Sequence, residues 1–568
     1  MRFKDLLACT TMICLLSACG GGSVGSTPVP APAPSPTPTP ANATLSDLRY
    51  SQSFENDAAA IAASWDLTTG TGISSSAKSA KLTIAYDAQT NGYTISTDGY
   101  SQTFLPTDQI SSDDYDTRYA KEGNYLTLTS KGYYAGLVTQ YVRMALLQRN
   151  TVAGSNQNTD LTSFTYGMPT GATATPRTGS AAFATETFGA VTAPGVEPRS
   201  FQGAGQIDID FAQGVFSGHS YLTEYSLIEG DPTYGGGIEL TTVGQLSSTG
   251  AGLTGAAIYE GWDGAVTSDL TGSLYGPTGG ELGATFSGQN ADGMSVTGSI
   301  VGKQDSALTP ANLSFANMTH EQSFATRMSQ YAAGSLTWQN SETFRYSGYS
   351  SADSGGQFTI DDKVPGRADF TTYRKTFNND YYGTQDVTLD LYKTGSANSK
   401  LALTYASLGH WQGSLPASYN GPASQWFFYG FATPDYALAN RTGSASYRGV
   451  AYARGIGGAG ERYDVSGTSS LAVDFGSDTF TGALALTGRE TTTNAVADFG
   501  STAFSGTLNN RSGTLVGDFS AGGALGSEIY GQFFGPDGRE VAGSFVFNAP
   551  QGAAAGTNIA GVFAAARD

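Results

Sequence analysis

Short runs in which apolar residues alternate with small or polar ones recur from about residue 45 to the C-terminus. Examples are Lys81-Leu82-Thr83-Ile84-Ala85-Tyr86, Val387-Thr388-Leu389-Asp390-Leu391-Tyr392 and Gly543-Ser544-Phe545-Val546-Phe547. A period of two puts successive side chains on opposite faces of an extended strand. Many such runs, broken every ~8–12 residues by turn-forming residues, predict an antiparallel barrel or sandwich. The spacing Asp-Phe-x-x-x-x-Phe-(Ser/Thr)-Gly occurs at Asp210–Gly218, Asp474–Gly482 and Asp498–Gly506. Each copy predicts strand, tight turn, strand. Glycines inside such strands permit the bends that close a small barrel. One alanine-rich stretch, Asp57–Ala63, departs from the alternation and is read as a short helix.

The body is duplicated. Tyr166-Gly167-Met168-Pro169-Thr170 matches Tyr429-Gly430-Phe431-Ala432-Thr433 at an offset of 263 residues. Arg177-Thr178-Gly179-Ser180-Ala181-Ala182-Phe183 matches Arg441-Thr442-Gly443-Ser444-Ala445-Ser446-Tyr447 at 264. Gly272–Leu282 matches Gly531–Val541 at 259, through Gly276-Pro277-Thr278-Gly279-Gly280-Glu281 and Gly535-Pro536-Asp537-Gly538-Arg539-Glu540. Three collinear matches with a small drift are what loop insertions leave behind after duplication. The expected organisation is a signal peptide at 1–18 and a Pro-rich linker at 19–44. A less regular first half (45–176) and a barrel (177–303) then make one lobe, and 304–440 and 441–568 make the other. Gly276 and Gly535 precede a proline in a tight turn, so both are expected to resist substitution.

Composition agrees with many short strands. Glycine is 75 of 568 residues, Tyr and Phe number 31 and 29, and only 14% of residues are charged. A helical bundle needs fewer glycines and more charge. The net charge of −19 argues against nucleic acid as a partner, since phosphate recognition needs a basic patch.

The three cysteines, Cys9, Cys14 and Cys19, all fall in the first nineteen residues, so the body has no disulfide and no thiolate metal site. Arg2 and Lys4 precede an apolar stretch, Leu6–Leu16, that is too short for a membrane span. It ends in Leu16-Ser17-Ala18-Cys19, a bacterial lipobox, which predicts cleavage between Ala18 and Cys19 and lipid attachment at Cys19. A tether with prolines at 28, 30, 32, 34, 36, 38 and 40 follows, suited to extended polyproline II. The expected address is the outer membrane, lipid-anchored and facing the surface.

The search for chemistry returns no complete constellation. His219, His320 and His410 are far apart in sequence. His320-Glu321 opens like a zinc-protease motif but lacks the second histidine. Gly455-Ile456-Gly457-Gly458-Ala459-Gly460 has the letters of a dinucleotide fingerprint without a following helix, and is read as a long flexible barrel loop. Gly21–Gly25 has the letters of a nucleophile elbow but lies in the tether. Asp208 and Asp210 share a strand face and are read as solvent-facing, while Asp113, Asp114 and Asp116 are read as a solvated loop. No cofactor and no catalytic residue is expected, and an enzyme is not.

The lipobox, the tether and the duplicated Tyr-Gly-x-x-Thr, Gly-Ser-Ala-x-(Phe/Tyr) and Gly-Pro-x-Gly-x-Glu motifs resemble the transferrin-binding protein B family of surface lipoproteins. That resemblance implies an all-β fold of two lobes, each a β-rich handle plus an eight-stranded barrel. It implies capture of an extracellular protein or iron- or haem-carrying ligand and transfer of cargo to a TonB-dependent outer-membrane receptor. Two other functions fit the residues: a structural or adhesive coat lipoprotein, and direct haem or small-solute binding through a tyrosine. The residues that would contact a ligand cannot be read from the motifs.

Overall fold

The computed structural model describes residues 41–97, 99–328, 332–348, 356–379, 383–413, 423–520, 527–550 and 555–568. Among these the only helical pieces are five three-residue 3-10 turns, and no helix is long and apolar enough to cross a membrane. Strands make four sheets in chain order: a nine-stranded sheet, a closed eight-stranded barrel, a second nine-stranded sheet and a second closed eight-stranded barrel. The all-β, two-lobed fold expected from the sequence is present, with a handle and a barrel in each lobe. Cys19, Ala18 and the rest of residues 1–40 lie outside the described residues.

Both handles are wound alike. The first strand of the handle pairs with its last, so the sheet grows outward from a central seam. In the first handle this seam joins Gln52–Asp66 to Asn156–Gly167. The alanine-rich segment expected as a helix is part of strand Gln52–Asp66. Alanine favours a helix by propensity. Here each backbone edge of the segment is taken by a neighbouring strand, with Ala60 opposite Lys78 on one side and Thr162 on the other. Ladder hydrogen bonds on both sides override a preference of under 1 kcal/mol per residue.

The barrels run from Ser180 to Gln304 and from Ser444 to Arg567. Each closes by pairing its first strand with its last, Gly189 opposite Gly298 and Ala453 opposite Gly561. Closure leaves no free edge. Phenylalanines fill the interior and cover glycines on the neighbouring strand. Phe201 lies across from Gly189, where a Cβ would stand 2.3 Å from its ring. Gly189 therefore gives the aromatic ring room to lie over the sheet.

Two of the Asp-Phe repeats are hairpins as expected. Asp210 accepts hydrogen bonds from the Ala212 and Gln213 amides, and Asp474 accepts those of Gly476 and Ser477, each holding a turn. The third copy is not a hairpin, because Val496–Asn509 is one continuous strand. Its pairing register shifts where Leu486 faces Gly500 and Thr487 faces Asp498, and Gly500 takes φ +71°. The same letters here encode a β-bulge. The glycine-rich 455–460 segment is also tighter than expected. Strands Ser444–Ile456 and Arg462–Asp474 pair to their ends, so it is a hairpin tip, not a long loop.

Candidate functional site: the handle–barrel clefts

The duplicated motifs meet where each handle joins its barrel. In the first lobe the Gly276 amide donates to Met168 O at 2.9 Å, and the Thr170 hydroxyl donates to Gly276 O at 2.7 Å. In the second, the Gly535 amide donates to Phe431 O at 2.8 Å and the Thr433 hydroxyl to Gly535 O at 2.6 Å. The buried Glu281 carboxylate receives the Gln140 and Tyr141 amides at 2.8 and 2.7 Å. Glu540 receives those of Thr404, Tyr405 and Ala406 at 2.6, 2.9 and 2.7 Å. Burial pushes the Glu540 carboxyl up from its ordinary range, and these backbone donors act against that. The repeated residues are thus a joint that fixes handle to barrel.

With the joint fixed, each lobe holds a cleft between the handle sheet and the outer wall of its barrel. The first-lobe cleft is about 530 Å³ and is lined by Tyr119, Tyr125 and Tyr133 of the handle and Phe188, Gln202 and Tyr225 of the barrel. Two of its lining residues are exposed, Ile110 at 60% and Tyr125 at 41%, and Tyr134, bonded to the lining residue Tyr225, is exposed at 45%. Handle and barrel are tied across it. The Tyr134 and Tyr225 hydroxyls hydrogen-bond at 2.7 Å, and Glu186 of the barrel receives the Tyr134 and Ala135 amides. The rings of Tyr115 and Tyr133 stack at 5.3 Å, and Lys131 lies 5.2 Å from the Tyr115 centroid. Rigid, amphipathic tyrosines on a braced scaffold offer contact area at low entropic cost.

The carboxylates flagged in the sequence are structural. Asp113 holds the turn through the Tyr115 and Asp116 amides. Asp116 was expected in a solvated loop but is buried, because Arg118 at 2.9 Å and the Tyr133 hydroxyl neutralise and satisfy it. Asp208 and Asp210 were expected on a solvent face, and both are buried. The segment that follows the first barrel covers them, with Ser314 Oγ 3.4 Å from Asp210. Burial raises the Asp208 carboxyl, opposed by hydrogen bonds from Gln206 and the Ala311 amide.

The histidines do not converge. His219 pairs with Glu239 at 3.0 Å on the outside of the first barrel, edge-on to Tyr221. The His320 backbone carbonyl accepts from the Asn312 side-chain amide. His410 lies buried at the second-lobe cleft with Asp390 on one side and Ser424 on the other. Sequence reasoning missed this grouping because the three residues come from three strands spread over 34 positions. Among the described residues no three His, Cys, Asp or Glu side chains could hold a metal ion.

Residues 440–567 match the family model of the C-lobe and N-lobe beta barrels of Tf-binding protein B. A search of curated proteins finds no match. Solved structures that resemble the chain include isotype 1 transferrin binding protein B from serogroup B Neisseria meningitidis. That pair shares 17% identity over 77% of this chain and 87% of the other, with a TM-score of 0.24. A double mutant of transferrin binding protein B from Haemophilus parasuis is 13% identical over 90% of this chain and 95% of the other, TM-score 0.25. The N-lobe domain of lactoferrin binding protein B from Moraxella bovis is 14% identical over 44% of this chain and 99% of the other, TM-score 0.22. The family-model match to the second barrel, with the duplicated handle-and-barrel architecture, supports a protein like transferrin-binding protein B.

Proposed function

We propose that the chain is a surface lipoprotein of the outer membrane, anchored through Cys19, that captures an extracellular iron-carrying protein. It passes the cargo to a TonB-dependent receptor. The observation that carries this reading is the first-lobe cleft: exposed Ile110 and Tyr125 line a cavity braced by Glu186 and by the pair of Tyr225 with the exposed Tyr134. Such a surface fits a folded protein partner, because aromatic anchors around a desolvated centre supply most of the energy of a protein interface. The match of the second barrel to the Tf-binding protein B family adds support for an iron carrier as that partner.

The test is surface-plasmon binding of the tether-lacking protein to iron-loaded transferrin, lactoferrin and haemoglobin. Tyr125→Ala with Tyr134→Ala should weaken the interaction by about 2–4 kcal/mol, a hot-spot magnitude. Binding to none of the three, or binding insensitive to both changes, overturns this reading in favour of a coat or adhesive role.

A further inference from the structure

The second-lobe cleft holds a serine, a histidine and an aspartate in one line. Asp390 stands directly opposite His410 on adjoining strands, and His410 stands opposite Trp426 on the next. Ser424 lies two residues from Trp426 on the same strand and therefore on the same sheet face. The Ser424 hydroxyl is 2.8 Å from His410 Nε2. His410 Nδ1 is 3.8 Å from Asp390 Oδ2, a charge-pair distance that is longer than a hydrogen bond. The hydroxyl of Thr372 holds the other Asp390 oxygen. Trp426 stacks on the imidazole at 4.0 Å with the planes 8° apart, which fixes the ring.

The fold does not require these residues. The two handles share strand order and register, and the first-lobe positions that correspond to Asp390, His410 and Ser424 are Thr127, Leu146 and Leu161. Gln148 and Gln412 mark the alignment, paired with Leu161 and Ser424 in turn. A sheet that folds with Thr, Leu and Leu has no structural need for an Asp–His–Ser line. The line also opens on space. Ser424 and Trp426 belong to the wall of a cavity of about 450 Å³, together with Met328, Ile456, Phe545 and Arg454. Trp426 is buried and its Nε1 has no hydrogen-bond partner.

We infer that Ser424, His410 and Asp390 form a nucleophile, a general base and a positioning carboxylate for hydrolysis of a small neutral carboxylic ester. Asp390 favours the tautomer with the proton on Nδ1, leaving Nε2 to accept from Ser424. Burial lowers the His410 pKa, which keeps the imidazole neutral and able to take a proton. Ser424 Oγ bonds to the acyl carbon as its proton passes to Nε2. The carbon–oxygen bond to the alcohol then breaks, and the alcohol leaves with that proton. Water adds to the acyl-serine and gives a proton to Nε2. The carboxylic acid departs as Nε2 returns the proton to Ser424. The Arg454 guanidinium is a donor in the same wall for the acyl oxygen. Met328, Ile456 and Phe545 give the acyl chain an apolar surface, and Glu528 in that wall disfavours an anionic ester.

The full-length protein, treated with a fluorophosphonate probe and digested, should carry the adduct on the peptide containing Ser424. It should hydrolyse 4-nitrophenyl butyrate, and Ser424→Ala should lower that rate by about 100-fold or more with an unchanged thermal midpoint. His410→Gln should abolish the adduct. If that variant fails to fold, Ser424→Ala decides alone, since it removes one oxygen near a strand end. Absence of the adduct from the Ser424 peptide of the native protein, or an ester rate unchanged in Ser424→Ala, overturns the assignment.

Discussion

The ring of Tyr405 occupies the space that a side chain on Gly535 would need. A Cβ at Gly535 would stand 2.7 Å from Tyr405 Cδ2, and one at Gly276 would stand 2.6 Å from Tyr141 Cδ2. Both glycines also take positive φ, +83° and +82°. A residue before proline favours extended backbone, but the turn that aims the following strand needs the left-handed side, which a Cβ resists. Gly535→Val and Gly276→Val should each lower stability by about 1–3 kcal/mol, the scale of a strained backbone position. Urea unfolding of the tether-lacking protein measures this, and unchanged midpoints for both would contradict the joint.

Glu540 binds three backbone amides of the handle, those of Thr404, Tyr405 and Ala406. Removing the carboxylate leaves buried N–H groups unpaired, at a cost of about 1–3 kcal/mol for each that water cannot reach. Glu540→Ala should therefore be among the most destabilising single changes in the second lobe. Glu540→Gln, which keeps one acceptor oxygen, should cost less. The ranking Ala below Gln below native in thermal midpoint checks the point.

Inside the first barrel, Glu224 receives Arg199 at 2.7 Å and the Tyr259 hydroxyl, and all three are buried. Burial pushes the Glu224 carboxyl up to about 7 against the pull of Arg199. The folded protein thus binds this proton more tightly than the unfolded chain does. The resulting stabilisation is full below the unfolded value of about 4.3 and is lost as pH rises through about 7. Glu224→Gln mimics the protonated form. Native and variant stabilities should agree near pH 4, and the native protein should fall behind between pH 4.5 and 7. A stability difference that is flat across that window would show that Arg199 keeps the carboxyl ionised.

How much of this was legible varies with the length scale of the cause. Period-two alternation announced strands because it is local, and the duplicated Gly-Pro-x-Gly-x-Glu announced a tight turn for the same reason, while its part in joining handle to barrel depends on Met168 and Phe431, far away in sequence. One further repeat was readable and passed over. Ala41-Asn42 with Gln52-Ser53-Phe54 recurs as Ala311-Asn312 with Gln322-Ser323-Phe324. Asn42 receives the Arg49 amide and donates to Tyr50 O, and Asn312 receives the Thr319 amide and donates to His320 O. These two asparagines open the lobes in the same way. Burial of Asp116, Asp208 and Asp210 was not readable, because what covers them comes from farther along the chain: Tyr133 over Asp116, and the segment after the first barrel over Asp208 and Asp210. Asp390, His410 and Ser424 were invisible for the same reason: register across three strands, and no local spacing, puts them together.

Cys19→Ala should release the protein from membranes. With lipid as the anchor, removal of the thiol that carries it leaves a body of net charge −19, which an anionic surface repels. Fractionation should move the variant into the soluble pool. Sedimentation with outer membrane after a salt wash would point to another anchor.

The two lobes should fold when separated. Each holds its own handle, joint and closed barrel, and each barrel has its own apolar core. The place of the cut matters. The last strand of the first barrel runs to Gln304, and the Asp305 amide still donates to Ala182 O. Asn312 already belongs to the second lobe through the Thr319 amide and His320 O. Fragments 41–306 and 307–568 respect both. What each loses are polar contacts between lobes, including Gln245 to Asp537 at 2.9 Å and Thr267 to Tyr436 O at 2.9 Å, the cover that Thr309, Ala311 and Ser314 give Asp208 and Asp210, and the packing of Val215 among second-lobe residues. Hydrogen bonds of this kind contribute roughly 0.5–1.5 kcal/mol each. The fragments should give strand-rich circular dichroism and cooperative melting somewhat below the intact body. Ending the first fragment at residue 303 instead should lower its midpoint further, because it strips Gln304 from its pairing with Phe183. Aggregation of both fragments under the first cut would mean that the lobes depend on each other to fold.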